Sequence, residues 1–187
     1  MDTYKRLFPN LETGNCYISN LIIDKEYQMI LHLGKSLKGM KPPLATLKNV
    51  NGKKTDLIYA LGGKLIVSDK LKLFLEESKD ASHFEFIEIQ FENAKMNPYY
   101  MLNILELVDA FDWEKSIYEL FDELGPKGNK VIRNLIKMEI DTSKTNHRIL
   151  FNLLHFEGQN IVTINLYHQM VRSGITGLLI DPLVGHK

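Results

Sequence analysis

Leu65-Ile66-Val67-Ser68-Asp69-Lys70-Leu71-Lys72-Leu73-Phe74-Leu75-Glu76-Glu77 is the stretch on which the fold turns. Leu65-Ile66-Val67 is short, apolar and β-branched, as a buried strand requires. Ser68 follows as a hydroxyl N-cap, and over residues 70–77 Leu71, Phe74 and Leu75 fall on one helical face. Phe84, Phe86, Ile87, Ile89 and Phe91, separated by Glu85, Glu88, Gln90 and Glu92, then alternate as a strand does, with a slip at Ile87 that predicts a bulge. The same order returns late in the chain. Ile161-Val162-Thr163 opens a helix over residues 165–172, Gly174 closes it, and residues 176–180 read as a strand. A unit of strand, hydroxyl cap, helix and strand is common and does not establish duplication. It does favour an α+β fold, a mostly antiparallel sheet with packed helices in a single domain.

Outward from this stretch the signals are weaker. Asp24 is placed to cap a helix over residues 26–33. Residues 34–56 read as an irregular connection, punctuated by Gly34, Gly39, Pro42-Pro43 and Asn51-Gly52. The expected division is therefore an irregular N-terminal segment over 1–56 and an α+β core over 57–187, joined as one continuous domain. Residues 99–108 are almost wholly apolar and fit a buried strand. Trp113, Ile117, Leu120 and Leu124 repeat at helical spacing, with Asp112, Ser116, Glu119 and Glu123 on another face and Gly125-Pro126-Lys127-Gly128 as the stop. Strands are expected over 131–140 and 148–156, on either side of a polar turn. The expected core includes Leu65, Val67, Leu71, Phe74, Phe86, Ile104, Val162 and Leu178.

Composition narrows the function classes. The chain has 187 residues, enough to bury a core without disulfide or metal staples. The longest uninterrupted apolar run is residues 57–61, far short of the roughly 20 residues of a membrane-spanning helix. No apolar stretch of secretory type follows Met1, and one cysteine excludes an internal disulfide, so a soluble cytoplasmic protein is expected. Formal charge is zero, but unevenly spread: residues 1–79 carry net +5, 80–126 net −9 and 127–187 net +4. The acidic centre either packs against the basic ends or forms a docking face for a basic partner.

The inventory of reactive groups is thin. Gly34-Lys35-Ser36 resembles the tail of a phosphate-binding loop, but such a loop needs another glycine at the position of Met29. Asp109, Asp112 and Glu114 are a possible Mg²⁺ set, although acids so close in sequence more often cap or face water. The histidines lack ligand spacing, and Cys16 has no nearby histidine. Lys35, Lys38, Lys41, Lys48, Lys53 and Lys54 form a basic loop without the interleaved aromatics that stack bases, so nucleic acid is not expected as a partner. No catalytic, cofactor or metal residue is assigned.

Several motifs together resemble a known family. They are Gly62-Gly63-Lys64-Leu65-Ile66-Val67-Ser68-Asp69-Lys70, the strand from Phe84, Tyr99-Tyr100-Met101-Leu102-Asn103-Ile104, Asp109-Ala110-Phe111-Asp112-Trp113-Glu114-Lys115-Ser116, and Ser173-Gly174-Ile175-Thr176-Gly177-Leu178. In this order they resemble immunity family eleven of the bacterial polymorphic toxin systems, over roughly residues 34–182. The resemblance implies a cytoplasmic, non-enzymatic α+β protein that binds and silences one cognate toxin. Many toxins of such systems are nucleases, whose surfaces are basic because they hold phosphate. Asp112, Glu114, Glu119, Asp122 and Glu123 are then the candidate contacts. A scaffold domain with another partner and a cryptic enzyme remain the alternatives.

Overall fold

The computed structural model describes residues 3–60, 64–95, 97–122, 130, 132–154 and 156–181. The strands are β1 (Tyr4–Pro9), β2 (Tyr17–Ile22), β3 (Leu44–Lys48), β4 (Leu57–Ala60), β5 (Leu65–Ser68), β6 (Phe84–Glu88), β7 (Gln90–Phe91), β8 (Tyr99–Ile104), β9 (Leu107–Val108), β10 (Ile117–Leu120), β11 (Ile132–Lys137), β12 (Leu150–Leu153), β13 (Phe156–Thr163) and β14 (Leu178–Asp181). The helices are α1 (Lys25–His32), α2 (Asp69–Glu76) and α3 (Ile164–Arg172). The protein is thus mixed α+β with a mostly sheet core. Each helix starts where a short polar side chain caps it: Asp24, Ser68 and Thr163 accept hydrogen bonds from the backbone N–H groups of Tyr27, Leu71 and Leu166.

One sheet has the order β14-β1-β13-β12-β9 and a second the order β6-β8-β5-β4-β2-β3-β7. The pairs β2/β4, β3/β7 and β9/β12 are parallel and the other described pairs antiparallel. β6 and β7 lie at opposite edges of the second sheet, yet only Ile89 separates them in the chain. That sheet therefore curls until its edges meet, which leaves few open edge groups. The expected slip at Ile87 falls instead at Ile89. Ile89 is buried, and there the strand leaves β8 for β3.

The repeat seen in sequence extends to topology. β5 and β6, joined by α2, both pair with β8, which lies between them. β13 and β14, joined by α3, both pair with β1. Leu71 and Leu75 of α2 share one core with Leu166 and Met170 of α3, with Leu7, Leu65, Val67, Ile104 and Val162 from both sheets. Of the eight expected core residues, Leu65, Val67, Leu71, Ile104 and Val162 are buried, and Phe74, Phe86 and Leu178 pack on the same cluster half-buried. Neighbouring residues face away: Ile66 joins Ile18, Leu47, Ile58 and Met101 inside the curled sheet, under Tyr27 of α1. With both faces covered, these strands read as continuous apolar runs.

Three expectations are corrected. Residues 34–56 are not wholly irregular, because β3 lies within them and pairs with β2 in the interior of the sheet. Nor is the N-terminal segment as a whole irregular: β1, β2 and α1 are built from it. Residues 112–120 are not a helix. Asp112 opens a turn and β10 follows, paired with β11 as a two-stranded ribbon. Tyr118, Ile132 and Leu135 turn inward onto Phe111 and Trp113, so the apolar residues that mimic a helical stripe are divided between the two faces of a strand. Leu124 and the glycine-proline stop lie outside the described residues.

Candidate functional site

The residues that carry the family resemblance are tied to distant backbone. Asp56, at the entry to β4, accepts from the Ser68 hydroxyl at 2.7 Å and from the Thr176 N–H and hydroxyl at 2.8 Å each. The Ser68 oxygen meanwhile caps α2, so one carboxylate joins β4, the start of α2 and the turn after α3. Lys70 donates to the Gly174 carbonyl at 2.6 Å. Gly177 has φ +80°, and a Cβ there would collide with the Leu57 carbonyl oxygen and sit 2.7 Å from Thr55 Cβ. Tyr99 is buried and donates to the Thr55 carbonyl at 2.8 Å. Burial, with Asp56 and Cys16 nearby, pushes its hydroxyl up to about 12, so it stays a neutral donor.

Asn103 forms a second latch. Its amide donates to the Lys35 carbonyl at 2.8 Å and to Glu85 at 2.9 Å, and Glu85 also accepts from the Ser36 hydroxyl and the Leu37 N–H. Burial works to raise the Glu85 carboxyl, but these donors outweigh it and hold the group below the usual carboxylate value. Gly34-Lys35-Ser36 is therefore spent on a loop that follows α1, whereas a phosphate loop opens its helix.

Asp112 and Ser116 form the third. Asp112 accepts from the Glu114 and Lys115 N–H groups and from the Lys115 ammonium at 2.8 Å. The lysine bond holds its carboxyl below the ordinary aspartate value. Ser116 Oγ accepts from the Glu139 N–H at 3.0 Å, which fixes the start of β10 beside the end of β11.

The basic ends meet the acidic centre at three carboxylates among the described residues. Asp80 is buried and accepts from the Ile149 N–H at 2.7 Å, with Arg148 4.0 Å away. Arg148 also pairs with Glu106 at 3.0 Å, and Arg133 with Glu119 at 3.1 Å. Of the candidate contacts, then, Asp112 serves a turn and Glu119 an ion pair. Glu114 and Asp122 are exposed and form no salt bridge among the described residues, although Glu114 lies in the field of Lys115. Glu123 lies outside the described residues, and the expected single helical face of Asp112, Glu119 and Glu123 does not exist, because a turn and a strand replace the helix. The six loop lysines are exposed and form no ion pair among the described residues. Cys16 is buried, its thiol donating to the Asn49 and Gly52 carbonyls.

What sequence reasoning missed is the outer face of the ribbon. Ile117, Glu119 and Phe121 alternate outward, and Ile117 and Phe121 are 53% and 54% exposed. Ile117 and Tyr118 pair with Lys137 and Leu135, and Glu119 and Leu120 with Asn134 and Ile132. Each step skips a residue of β11, so Ile136 and Arg133 are extra residues at two bulges, both turned to solvent. Ile136 is 41% exposed. The signal was present as alternation over residues 117–121, but the helical spacing of the same apolar residues hid it.

The model of an immunity protein family (Imm11) matches residues 21–183. No curated protein matches the chain.

Proposed function

The chain belongs to the immunity protein family Imm11, and from that premise we propose that it acts in the cytoplasm, without chemistry of its own, by binding one cognate toxin and blocking it. The family match over residues 21–183 carries this reading. The fate of the polar side chains supports it. Asp56, Glu85, Asn103 and Asp112 are engaged in holding loops and strands together. The chain is taken as one continuous domain, since β1 of the N-terminal segment pairs between β13 and β14.

The toxin is proposed to present a basic surface, as a nuclease does, to carboxylates of the acidic centre. Glu114 and Asp122 lead, with Glu119 and Asp112 beside them in their ion pairs and Glu123 following in sequence. The toxin and its inhibitor would belong to a polymorphic toxin system used in contact-dependent competition. The test is coexpression with the protein encoded immediately upstream. The expected result is a one-to-one complex and rescue of growth from that protein's toxicity. A non-toxic neighbour, or a toxin that does not associate with this chain, overturns the reading.

A further inference from the structure

We propose that the outer face of the β10–β11 ribbon is the anchor of the toxin interface, with Phe121, Ile117 and Ile136 entering an apolar recess that is rimmed by lysine or arginine. This rests on the toxin-binding reading above and says where and how the partner is held. Isolated apolar side chains on a surface are ordinary, but here three large ones share one short ribbon. The ribbon's inner face is already committed to the Phe111, Trp113 and Tyr118 ring cluster, with Phe111 and Trp113 centroids 4.6 Å apart. That anchorage makes the ribbon a rigid platform, whereas two strands alone are marginally stable in water. The two bulges place Ile136 and Arg133 outward, where a regular ladder has no room for extra residues.

The leftover charge identifies the occupant. Every described cation of the ribbon is already engaged: Lys115 with Asp112, Arg133 with Glu119, Lys137 with Glu139, and Lys130 over the Trp113 ring at 5.4 Å. The carboxylates of Glu114 and Asp122 form no salt bridge among the described residues, although Glu114 lies in the field of Lys115. Over the described residues 112–139 five carboxylates (Asp112, Glu114, Glu119, Asp122, Glu139) stand against four cations (Lys115, Lys130, Arg133, Lys137), so the ribbon carries a formal excess of one negative charge around an apolar centre. A basic protein surface with an apolar recess complements it. A second copy of this chain would bring the same unpaired carboxylates together, which costs free energy. An aromatic anchor in a closed pocket with charges at its rim is also how binding energy concentrates in known interfaces.

The experiment measures binding of the protein encoded immediately upstream to the wild-type chain and to single variants, with a thermal melt of each variant to confirm folding. Phe121→Ala is expected to weaken binding at least about tenfold. Ile136→Lys is expected to weaken it more than Ile136→Glu, because only the lysine repels a basic rim. Leu73→Ala, an equally exposed apolar residue on α2, should leave binding unchanged. If the wild type does not bind, the toxin-binding reading and this proposal both fall. If it binds and Phe121→Ala binds as well, only the ribbon proposal falls. Equal weakening by Ile136→Lys and Ile136→Glu removes the basic rim and overturns the proposal as stated. So does a wild-type dimer, seen by size-exclusion chromatography, that Phe121→Ala converts to monomer.

Discussion

Replacing Asp56 by alanine tests whether the residues behind the family resemblance hold the fold. Its carboxylate accepts three hydrogen bonds of 2.7–2.8 Å, from Ser68 Oγ, Thr176 N and Thr176 Oγ1. Bonds to an ionised acceptor contribute roughly 1.5–3 kcal/mol each when sheltered. Thr176 is exposed, so water takes over part of what is lost. The Ser68 hydroxyl, freed to rotate, also caps α2 less well, a contribution of order 1 kcal/mol when a cap is lost outright. The expected cost of Asp56→Ala is therefore about 2–3 kcal/mol, a large part of the roughly 5–15 kcal/mol that stabilises a typical domain. Urea denaturation reads it as a lower midpoint at unchanged slope. Thr176→Val removes the hydroxyl alone and should cost about 1 kcal/mol in the wild type but much less beside Asp56→Ala. A loss under about 0.5 kcal/mol for Asp56→Ala, or strictly additive effects of the two changes, would refute the latch.

Leu71→Ala, in the core shared by both sheets, should cost roughly 2–5 kcal/mol in the same denaturation assay. The Glu85 carboxyl is held below its ordinary value of 4.5, so its stabilisation is complete above that pH and is lost as the pH falls through the lower folded value. Glu85→Gln should accordingly lower stability at pH 7 and flatten the acid limb of the stability–pH curve, as followed by thermal melts from neutral to acid pH. For the toxin complex, Glu114→Lys with Asp122→Lys should slow association more than it speeds dissociation, and the wild-type association rate should fall with added salt as the screening length shortens to about 10 Å near 0.1 M. Stopped-flow or surface-binding kinetics at low and high salt checks this, and a salt-independent rate unchanged in the double variant counts against any acidic contact.

Legibility of the fold followed local signal strength. Around Ser68 and Thr163, strand, cap and helix are encoded within a few neighbouring residues, and each element forms where the sequence places it. β3 was invisible because Leu44-Ala45-Thr46-Leu47-Lys48 sits in a glycine-, proline- and lysine-rich stretch, and its strand character comes from pairing with β2. Trp113, Ile117 and Leu120 failed for the opposite reason. Their spacing fits a helix, but Asp112 captures the next backbone N–H groups in a turn, and β11 offers a ladder that no local pattern reveals. The candidate contacts inherited that error: of the acids expected on one helical face, Asp112 serves a turn, Glu119 an ion pair on a strand, and Glu123 lies outside the described residues.

The division between latches and free face bears on how such a protein changes partners. Asp56, Ser68, Asn103, Ser116, Thr176 and Gly177 join segments far apart in sequence, Asp56 and Thr176 by 120 positions, and Asp112 fixes the turn before β10. A substitution at any of them is felt as lost stability before it is felt as altered recognition. Ile117, Phe121 and Ile136 face solvent, where exchange for another side chain leaves the core untouched. A sequence can therefore exchange the second set at little cost in stability while it keeps the first. The resemblance motifs mark the frame that holds the ribbon; if the proposed ribbon interface holds, partner identity would lie in side chains that contribute little to the fold.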